Sequence, residues 1–216
     1  MCGRYVNGPM TYAFWSELNR FLDALGMNYN VAPTAKVPIL RATDGRREPA
    51  AVRWGLIPSW AKDEKIGYRT INARAETVRA KPAFRSAFKR RRCIVLADGY
   101  YEWTGPKGNK QPYYVHRVDE RPLAFYGLWE QWGDVESCTI ITTETNSQLA
   151  HLHPRMPCIT EVESPNIDLW LDPAFEDYKH LHATLKPTAD DLLQTRKVSK
   201  YVNKVTNNGP ECLAPI

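Results

Sequence analysis

Long apolar segments are missing from this sequence. None of its 216 residues belongs to a run of about 18 apolar side chains, the length that a membrane-spanning helix needs. The N-terminus also has neither the basic nor the apolar region of a secretory signal peptide. We therefore expect a cytoplasmic protein with no membrane partner.

Paired cysteines are missing as well. The five cysteines, at positions 2, 93, 138, 158 and 212, are odd in number and scattered, and no two of them form a CxxC pair. Disulfide frameworks and structural zinc sites use closely spaced cysteine pairs. We therefore expect free thiols, no metal and no cofactor. Cys93 and Cys138 lie in apolar runs and are predicted to be core residues.

The chain has no low-complexity linker, no internal repeat and no long block of one charge. Its hydrophobic content of 43% is sufficient for a substantial core, and we expect one domain over residues 1–216. The net charge of +5 is modest and dispersed. This charge is compatible with an anionic partner but does not by itself indicate one.

Hydrophobic patterns predict both helices and strands. Apolar residues at helical spacing predict a helix from Thr11 to Leu25, ended by Gly26, and Asp44 and Gly45 predict the turn of a hairpin. Further strands are predicted for CIVLADGYYEW, QPYYVHRV, PLAFYGLWEQW and SCTIITTE, and further helices for KPAFRSAFKRRR, NSQLAHL and residues 168–185. The pattern indicates an α+β fold with peripheral helices around one curved, mostly antiparallel, barrel-like sheet.

Six short blocks combine reactive or charged side chains with turn residues: MCGRY, NVAPT, WGLIPSW, TINARAET, DGYYEW and HPRMP. In this order, over residues 2–160, they resemble the SOS response-associated peptidase family. The resemblance implies a monomeric sensor that attaches covalently to abasic sites in single-stranded DNA or at single-to-double-strand junctions. It also implies a nucleoid location if the source is bacterial. Residues 161–216 carry less of the resemblance and are predicted to be mainly helical.

The resemblance identifies Cys2 as the reactive residue. Cysteine is small enough for Met1 to be removed, which would put an α-amine and a thiol on one residue. An α-amine has a pKa of about 7.7 to 8.0, against about 10.4 for lysine, so part of it is free to attack an aldehyde. The thiol would then close a five-membered thiazolidine in an intramolecular step. Alternatively, Cys2 is a small, half-buried residue at a chain end.

Proton transfer is assigned by the resemblance to Glu102 and His153. Glu102 matches the catalytic glutamate of the family, and aromatic surroundings would raise its pKa. His153 matches the histidine that helps to open the sugar ring. The next residue is commonly aspartate in the family but is Pro154 here. The alternatives are an exposed strand carboxylate and a structural histidine.

Asn72 would hold the N-terminal residue or the lesion, as its family counterpart does, or else stabilise a turn. Alternate spacing places Asn72, Arg74 and Glu76 on one side of an extended segment. Arg74 is one of three arginines in the matching blocks, with Arg4 and Arg155, that are suited to DNA phosphates.

Base stacking would fall to WGLIPSW, which supplies Trp54, Pro58 and Trp60, with Pro33 lining the same cleft. Aromatic residues are also ordinary core material. The cationic cluster from Lys89 to Arg92 is either a solvated helix face or a second phosphate contact.

Three functions are compatible with these residues. The first is covalent capture of abasic DNA, a lyase-like Schiff-base chemistry accompanied by autoproteolytic removal of Met1. The second is a cysteine peptidase or autoprocessing hydrolase with Cys2 as nucleophile and Glu102 and His153 in support. The third is a noncovalent single-strand binder, whose salt-sensitive affinity would tolerate Cys2→Ser.

Overall fold

The computed structural model describes residues 2–9, 12 and 15–216. Helix α1 (Ser16–Leu25) confirms the predicted amphipathic helix, whose predicted start at Thr11 and apolar Phe14 lie outside the described residues. Gly26 ends the helix with a φ of 83°, and its N–H donates to the Leu22 carbonyl.

The predicted hairpin is confirmed. Strands β3 (Lys36–Thr43) and β4 (Arg46–Trp54) pair from Thr43 opposite Arg46. Asp44 and Gly45 have φ values of 51° and 73°, and such a pair of left-handed residues forms a two-residue turn that matches the twist of the strands.

The larger of two sheets has eight strands in the order β11-β10-β4-β3-β6-β9-β12, with β5 paired to β10. Its other strands are β5 (Asn72–Arg74), β6 (Arg92–Ala97), β9 (Leu123–Trp132), β10 (Val135–Glu144), β11 (Arg155–Pro157) and β12 (Ile159–Thr160). Strand β10 also pairs with β9, which makes part of the sheet ring-like. Only the pairings of β10 with β4 and β5 are parallel among the described strands.

The second sheet has the order β13-β8-β7-β1-β2 and is antiparallel throughout its described pairings. Its strands are β1 (Tyr5–Asn7), β2 (Asn28–Val31), β7 (Gly99–Thr104), β8 (Gln111–Arg117) and β13 (Leu193–Lys197). The prediction of an α+β fold with mostly antiparallel strands is confirmed, but there are two sheets instead of one.

The sheets divide within the single predicted strand CIVLADGYYEW. Its first part is β6, its second part is β7, and Asp98 lies between them. The N–H of Asp98 donates to the Val6 carbonyl at 2.8 Å, which draws the chain towards β1. A Cβ on Gly99 would come within 2.5 Å of the Val115 carbonyl oxygen, so only glycine permits the close approach that follows. The apolar pattern continues across this change of sheet and therefore hides it.

Three short helices complete the helical part: α2 (Arg85–Arg90), α3 (Asn166–Leu171) and α4 (Tyr178–Ala183). The predicted helix at NSQLAHL is wrong, because residues 147–152 form turns. Asn146 Oδ1 accepts from the N–H of Leu149, and Pro154 follows too closely for a helix to propagate. The C-terminal part, predicted to be helical, also supplies β13.

All five cysteines are buried free thiols, and the core positions predicted for Cys93 and Cys138 are confirmed. Cys2 packs in the same buried cluster as Trp54, Tyr100 and both of these cysteines. In the described part of the chain, no helix has the length and apolar character that crossing a bilayer requires.

Candidate functional site

Cys2 is fixed by strands of both sheets. Its side chain is fully buried, and its carbonyl oxygen accepts from Asn72 Nδ2 at 2.7 Å. The thiol donates to the Arg4 carbonyl at 3.9 Å, and the same carbonyl accepts from the N–H of Tyr101 in β7. The backbone of Cys2 is therefore tied to β5 of one sheet, and its thiol contacts Arg4, which is bonded to β7 of the other sheet.

Glu102 lies on the same face of β7 as Tyr100, two residues before it, because strand side chains alternate. Its side chain is buried, and burial raises its pKa. The pKa of the Cys2 thiol is also raised, first by burial and then by the negative charge of Glu102. Burial therefore favours the protonated form of the Glu102 carboxyl and of the Cys2 thiol.

His153 and Glu102 line one small cavity, together with Thr145 and Arg155. His153 Nδ1 lies 3.2 Å from the Arg155 carbonyl, and a proton on Nδ1 that is donated to this oxygen leaves Nε2 as the basic nitrogen of the ring. Burial lowers the pKa of His153, which favours the neutral ring that a base requires. Pro154 fits this loop, since its carbonyl accepts from the N–H of Thr145 at 3.1 Å.

The predicted alternation along TINARAE is confirmed. Ala73 and Ala75 are buried, whereas Arg74 and Glu76 are exposed and Asn72 is half-buried. Asn72 Oδ1 is buried and accepts no hydrogen bond within the described part of the chain. This oxygen is the acceptor of the Asn72 side-chain amide and can accept a hydrogen bond from a bound group.

Two of the predicted phosphate-binding arginines differ sharply. Arg74 is exposed and forms no ion pair with any described residue. Arg155 is only 14% exposed in its side chain and pairs with Glu76 at 2.6 Å. It also donates to the Thr142 carbonyl at 2.5 Å. Arg74 can bind a phosphate directly, whereas Arg155 would have to exchange an existing carboxylate partner.

Arg4 is engaged by the C-terminal part of the chain. Its Nη1 donates to Asn30 Oδ1 at 2.6 Å and to the Val202 carbonyl at 3.0 Å. Its guanidinium lies 5.8 Å from the centre of the Trp103 ring. The arginine therefore joins β1 to residues that are distant in the sequence.

The structure corrects the stacking role predicted for Trp54. The side chain is fully buried, meets Tyr5 edge-on at 5.3 Å and donates from Nε1 to the Ile71 carbonyl at 2.9 Å. It cannot reach a base from this position. The motif alone could not distinguish a core tryptophan from an exposed one.

The other residues predicted for the cleft are divided. Pro58 is buried and Pro33 is half-buried, but Trp60 is 59% exposed and can stack on a base. The sequence did not point to Tyr68, which is 61% exposed, with the guanidinium of Arg53 at 5.8 Å from its ring. A single tyrosine in a 3₁₀ segment, with no motif around it, does not indicate a binding role in the sequence.

The cationic cluster of residues 89–92 is not one surface. Arg92 is 1% exposed, and its guanidinium donates to backbone carbonyls, among them those of Trp170 at 2.5 Å and Phe88 at 3.0 Å. Arg91 pairs with Glu130 at 2.7 Å. Only the first two residues of the cluster are exposed, so its value as a phosphate contact is reduced.

Comparison with known proteins gives consistent matches along the chain. The family model described as "SOS response associated peptidase (SRAP)" matches residues 1–205. The abasic site processing protein YoqW of Bacillus subtilis is 37% identical, covering 99% of both chains. The abasic site processing protein HMCES of Gallus gallus is 31% identical over 88% of this chain and 66% of its own. A crystal structure of a protein from Bacteroides thetaiotaomicron has a TM-score of 0.80 and 29% identity, covering 93% of this chain and 91% of that one.

Proposed function

The chain belongs to the SOS response-associated peptidase family, and we propose that it processes abasic sites in DNA by bonding covalently to them through Cys2. The observation that carries this proposal is the hydrogen bond that fixes the Cys2 backbone to Asn72, close to the buried Glu102 carboxyl. Relatives that are named abasic site processing proteins support the choice of substrate. The protein would act on damaged DNA in the cytoplasm or nucleoid.

The proposed reaction requires removal of Met1, which leaves the α-amine on Cys2. The amine adds to the aldehyde carbon of the ring-opened sugar, and the carbinolamine loses water to give an imine. The thiol sulfur then bonds to the imine carbon, and the thiol proton is transferred to the imine nitrogen. One aldehyde and one N-terminal cysteine thus give one thiazolidine and one water.

Glu102 would supply the proton that lets the carbinolamine hydroxyl leave as water. Because burial raises its pKa, the carboxyl keeps a proton that it can donate up to a higher pH than an exposed glutamate does. The neutral ring of His153, which lines the same cavity, would take the proton of the sugar hydroxyl when the ring opens. Asn72 Oδ1 would accept a hydrogen bond from the lesion.

Single-stranded DNA is the proposed form of the substrate, with junctions as a further form and a monomeric protein as the binding unit. Exposed Arg74 and Trp60 offer one phosphate contact and one stacking surface. A splayed single strand presents both its phosphates and its bases to such groups.

The peptidase alternative is less well supported. A cysteine peptidase needs a thiolate, and its nucleophile has a lowered pKa. Burial and the charge of Glu102 raise the pKa of Cys2 instead. The amine-first reaction does not need a thiolate at the outset, so this environment fits the imine route.

The test is intact-mass spectrometry of the protein, alone and after incubation with a single-stranded oligonucleotide that contains one abasic site. The first spectrum reports whether Met1 has been removed. The expected second spectrum shows protein plus oligonucleotide less one water, absent with undamaged DNA and with Cys2→Ala. A protein that begins with Cys2 and forms no adduct would contradict the proposal. Cleavage of an unrelated peptide by that sample would support the peptidase instead.

A further inference from the structure

A basic pocket of about 470 Å³ opens beside the N-terminal segment. Its walls include Gly3, Arg4, Trp103, Lys110, Lys200 and Asn203, and none of the described residues that line it carries a carboxylate. Three cationic side chains around a cavity attract an anion, and an aromatic wall suits a nucleotide. Neither lysine forms an ion pair with a described carboxylate.

The two lysines come from distant segments that are tied together. Lys110 ends the turn between β7 and β8, and Lys200 begins the 3₁₀ segment Lys200–Asn203. Lys200 Nζ donates to Asn109 Oδ1, and Gln111 Nε2 donates to the Val198 carbonyl at 2.8 Å. The hairpin turn and the C-terminal segment therefore form one continuous wall.

Asn30 and Arg4 anchor the rest of this wall. Asn30 is 2% exposed, and the two hydrogens of its Nδ2 are shared among the carbonyls of Val202, Lys204 and Asn207 at 3.1, 3.0 and 2.9 Å. Its Oδ1 accepts from Arg4. The arginine charge is thus fixed at the pocket, and the C-terminal segment is held against β1 and β2.

The pocket is next to the reacting groups. Gly3, which lines it, directly follows Cys2. Burial raises the pKa of Glu102, and the nearby charge of Lys110 acts against that rise. Burial lowers the pKa of His153, and Lys110 lowers it further. An anion in the pocket would therefore lie beside Gly3, the residue bonded to Cys2.

We propose that the basic pocket binds the DNA backbone phosphate adjacent to the abasic nucleotide, through Lys110 and Lys200. This inference rests on the proposed function and gives a role to the C-terminal segment, to which the sequence assigned none. Lysine is well suited to such a contact because its ammonium is a point charge on a flexible stem that tolerates different backbone positions.

The test compares two double variants with the same change of charge. Lys110→Gln/Lys200→Gln removes both pocket lysines. Lys107→Gln/Lys197→Gln is the matched control, because these exposed lysines lie in the same hairpin turn and in β13, before Lys200, but do not line the pocket. Binding is measured by fluorescence anisotropy at several salt concentrations. The probe is a single strand with a tetrahydrofuran residue, an abasic analogue without an aldehyde.

The pocket variant should bind about tenfold more weakly, and its salt slope should fall by about 0.7 for each phosphate that the protein no longer neutralises. The control should stay within about twofold of the wild type. Probes with flanking nucleotides only on the 5′ side or only on the 3′ side then locate the bound phosphate. The weakening should persist with one probe and vanish with the other. Equal weakening of binding with both probes, or in both variants, would overturn the proposal that the pocket binds this phosphate.

The wild type separates this proposal from the proposed function. Normal cross-linking to aldehyde-containing DNA, with equal binding by the two double variants, would reject the pocket and leave covalent capture intact. A wild type that does not cross-link, with one-sided weakening in the pocket variant, would reject covalent capture and support a phosphate site. A wild type that binds no DNA would reject both.

Discussion

The region around Cys2 and the residues proposed to contact DNA are built in opposite ways. Around Cys2 the thiol and the Glu102 carboxyl are buried, Asn72 and His153 are half-buried, and Asn72 holds the backbone directly. Arg74, Trp60 and the lysines of the basic pocket, which we propose to contact DNA, are exposed. The first region can hold reacting atoms in place, while the second can adapt to a flexible strand. Substitutions in the two regions should therefore change different quantities.

The largest effect is expected from Cys2→Ala, which removes the thiol but keeps a small side chain. The stable adduct should disappear, while affinity for a tetrahydrofuran-containing strand should stay within about threefold, because the thiol supplies no phosphate contact. Gel analysis of the adduct and anisotropy measure the two quantities. Cys2→Ser is the companion variant, since its amine can still form an imine that borohydride traps.

If Cys2→Ala loses both the adduct and its affinity for DNA, the two regions do not have separate roles. Thermal unfolding of the same variant checks that the core is intact. A stable adduct formed by Cys2→Ala would show that another residue is the nucleophile.

Glu102→Gln should give the next largest effect, because the amide keeps the shape of the side chain but cannot donate a carboxyl proton. The cross-linking rate at saturating DNA should fall about 10²-fold or more, as expected for loss of a general acid. Quenched time courses with borohydride locate the slow step. Affinity should be unchanged within about twofold, and an unchanged rate would remove Glu102 from the mechanism.

Asp98 should make the stability of the buried region depend on pH. It lies buried where the chain changes sheets. Burial raises its pKa from an ordinary 3.8 to about 7. Its contribution to stability is therefore fully present below about pH 4 and is lost as pH rises through 7, a change of roughly 4 kcal/mol at most. In Asp98→Asn this loss should be absent. The measurement is the free energy of unfolding in urea from pH 4 to pH 9, and parallel curves for the two proteins would contradict the assignment.

Much of the fold could be predicted because the strands alternate or form apolar runs. Asp44 and Gly45 showed the hairpin, and Gly26 showed the end of α1. The change of sheet at Asp98 could not be predicted, since β6 and β7 are both buried and read as one run. Hydrophobicity reports burial and does not report which sheet a strand joins.

The reactive residues of the candidate site could be predicted from motifs. Which side chains are exposed enough to contact DNA could not be predicted. Trp54 and Trp60 belong to the same block, yet one is core and the other is on the surface. Lys110 and Lys200 are 90 residues apart and meet because Asn30 and Gln111 hold the C-terminal segment by hydrogen bonds. Such a meeting depends on tertiary contacts that no local pattern contains.

Arg74→Ala should give the smallest effect. Its comparison with Arg155→Ala distinguishes two arginines for which the sequence predicts the same role. Removing the exposed guanidinium should weaken DNA binding severalfold and lower the salt slope by about 0.7, without changing stability by more than about 0.5 kcal/mol. Arg155→Ala is the matched variant. It leaves Glu76 without its partner and takes a hydrogen bond from the Thr142 carbonyl, so it should lose about 1–3 kcal/mol of stability.

Anisotropy and urea unfolding of both variants test this division directly. If Arg155→Ala keeps its stability and loses affinity as Arg74→Ala does, then Arg155 exchanges Glu76 for a phosphate when DNA binds. The carboxylate of Glu76 would in that case hold the arginine ready in the free protein. If the two variants differ as expected, Arg155 belongs with the fixed region around Cys2, and Arg74 is the arginine that contacts the strand.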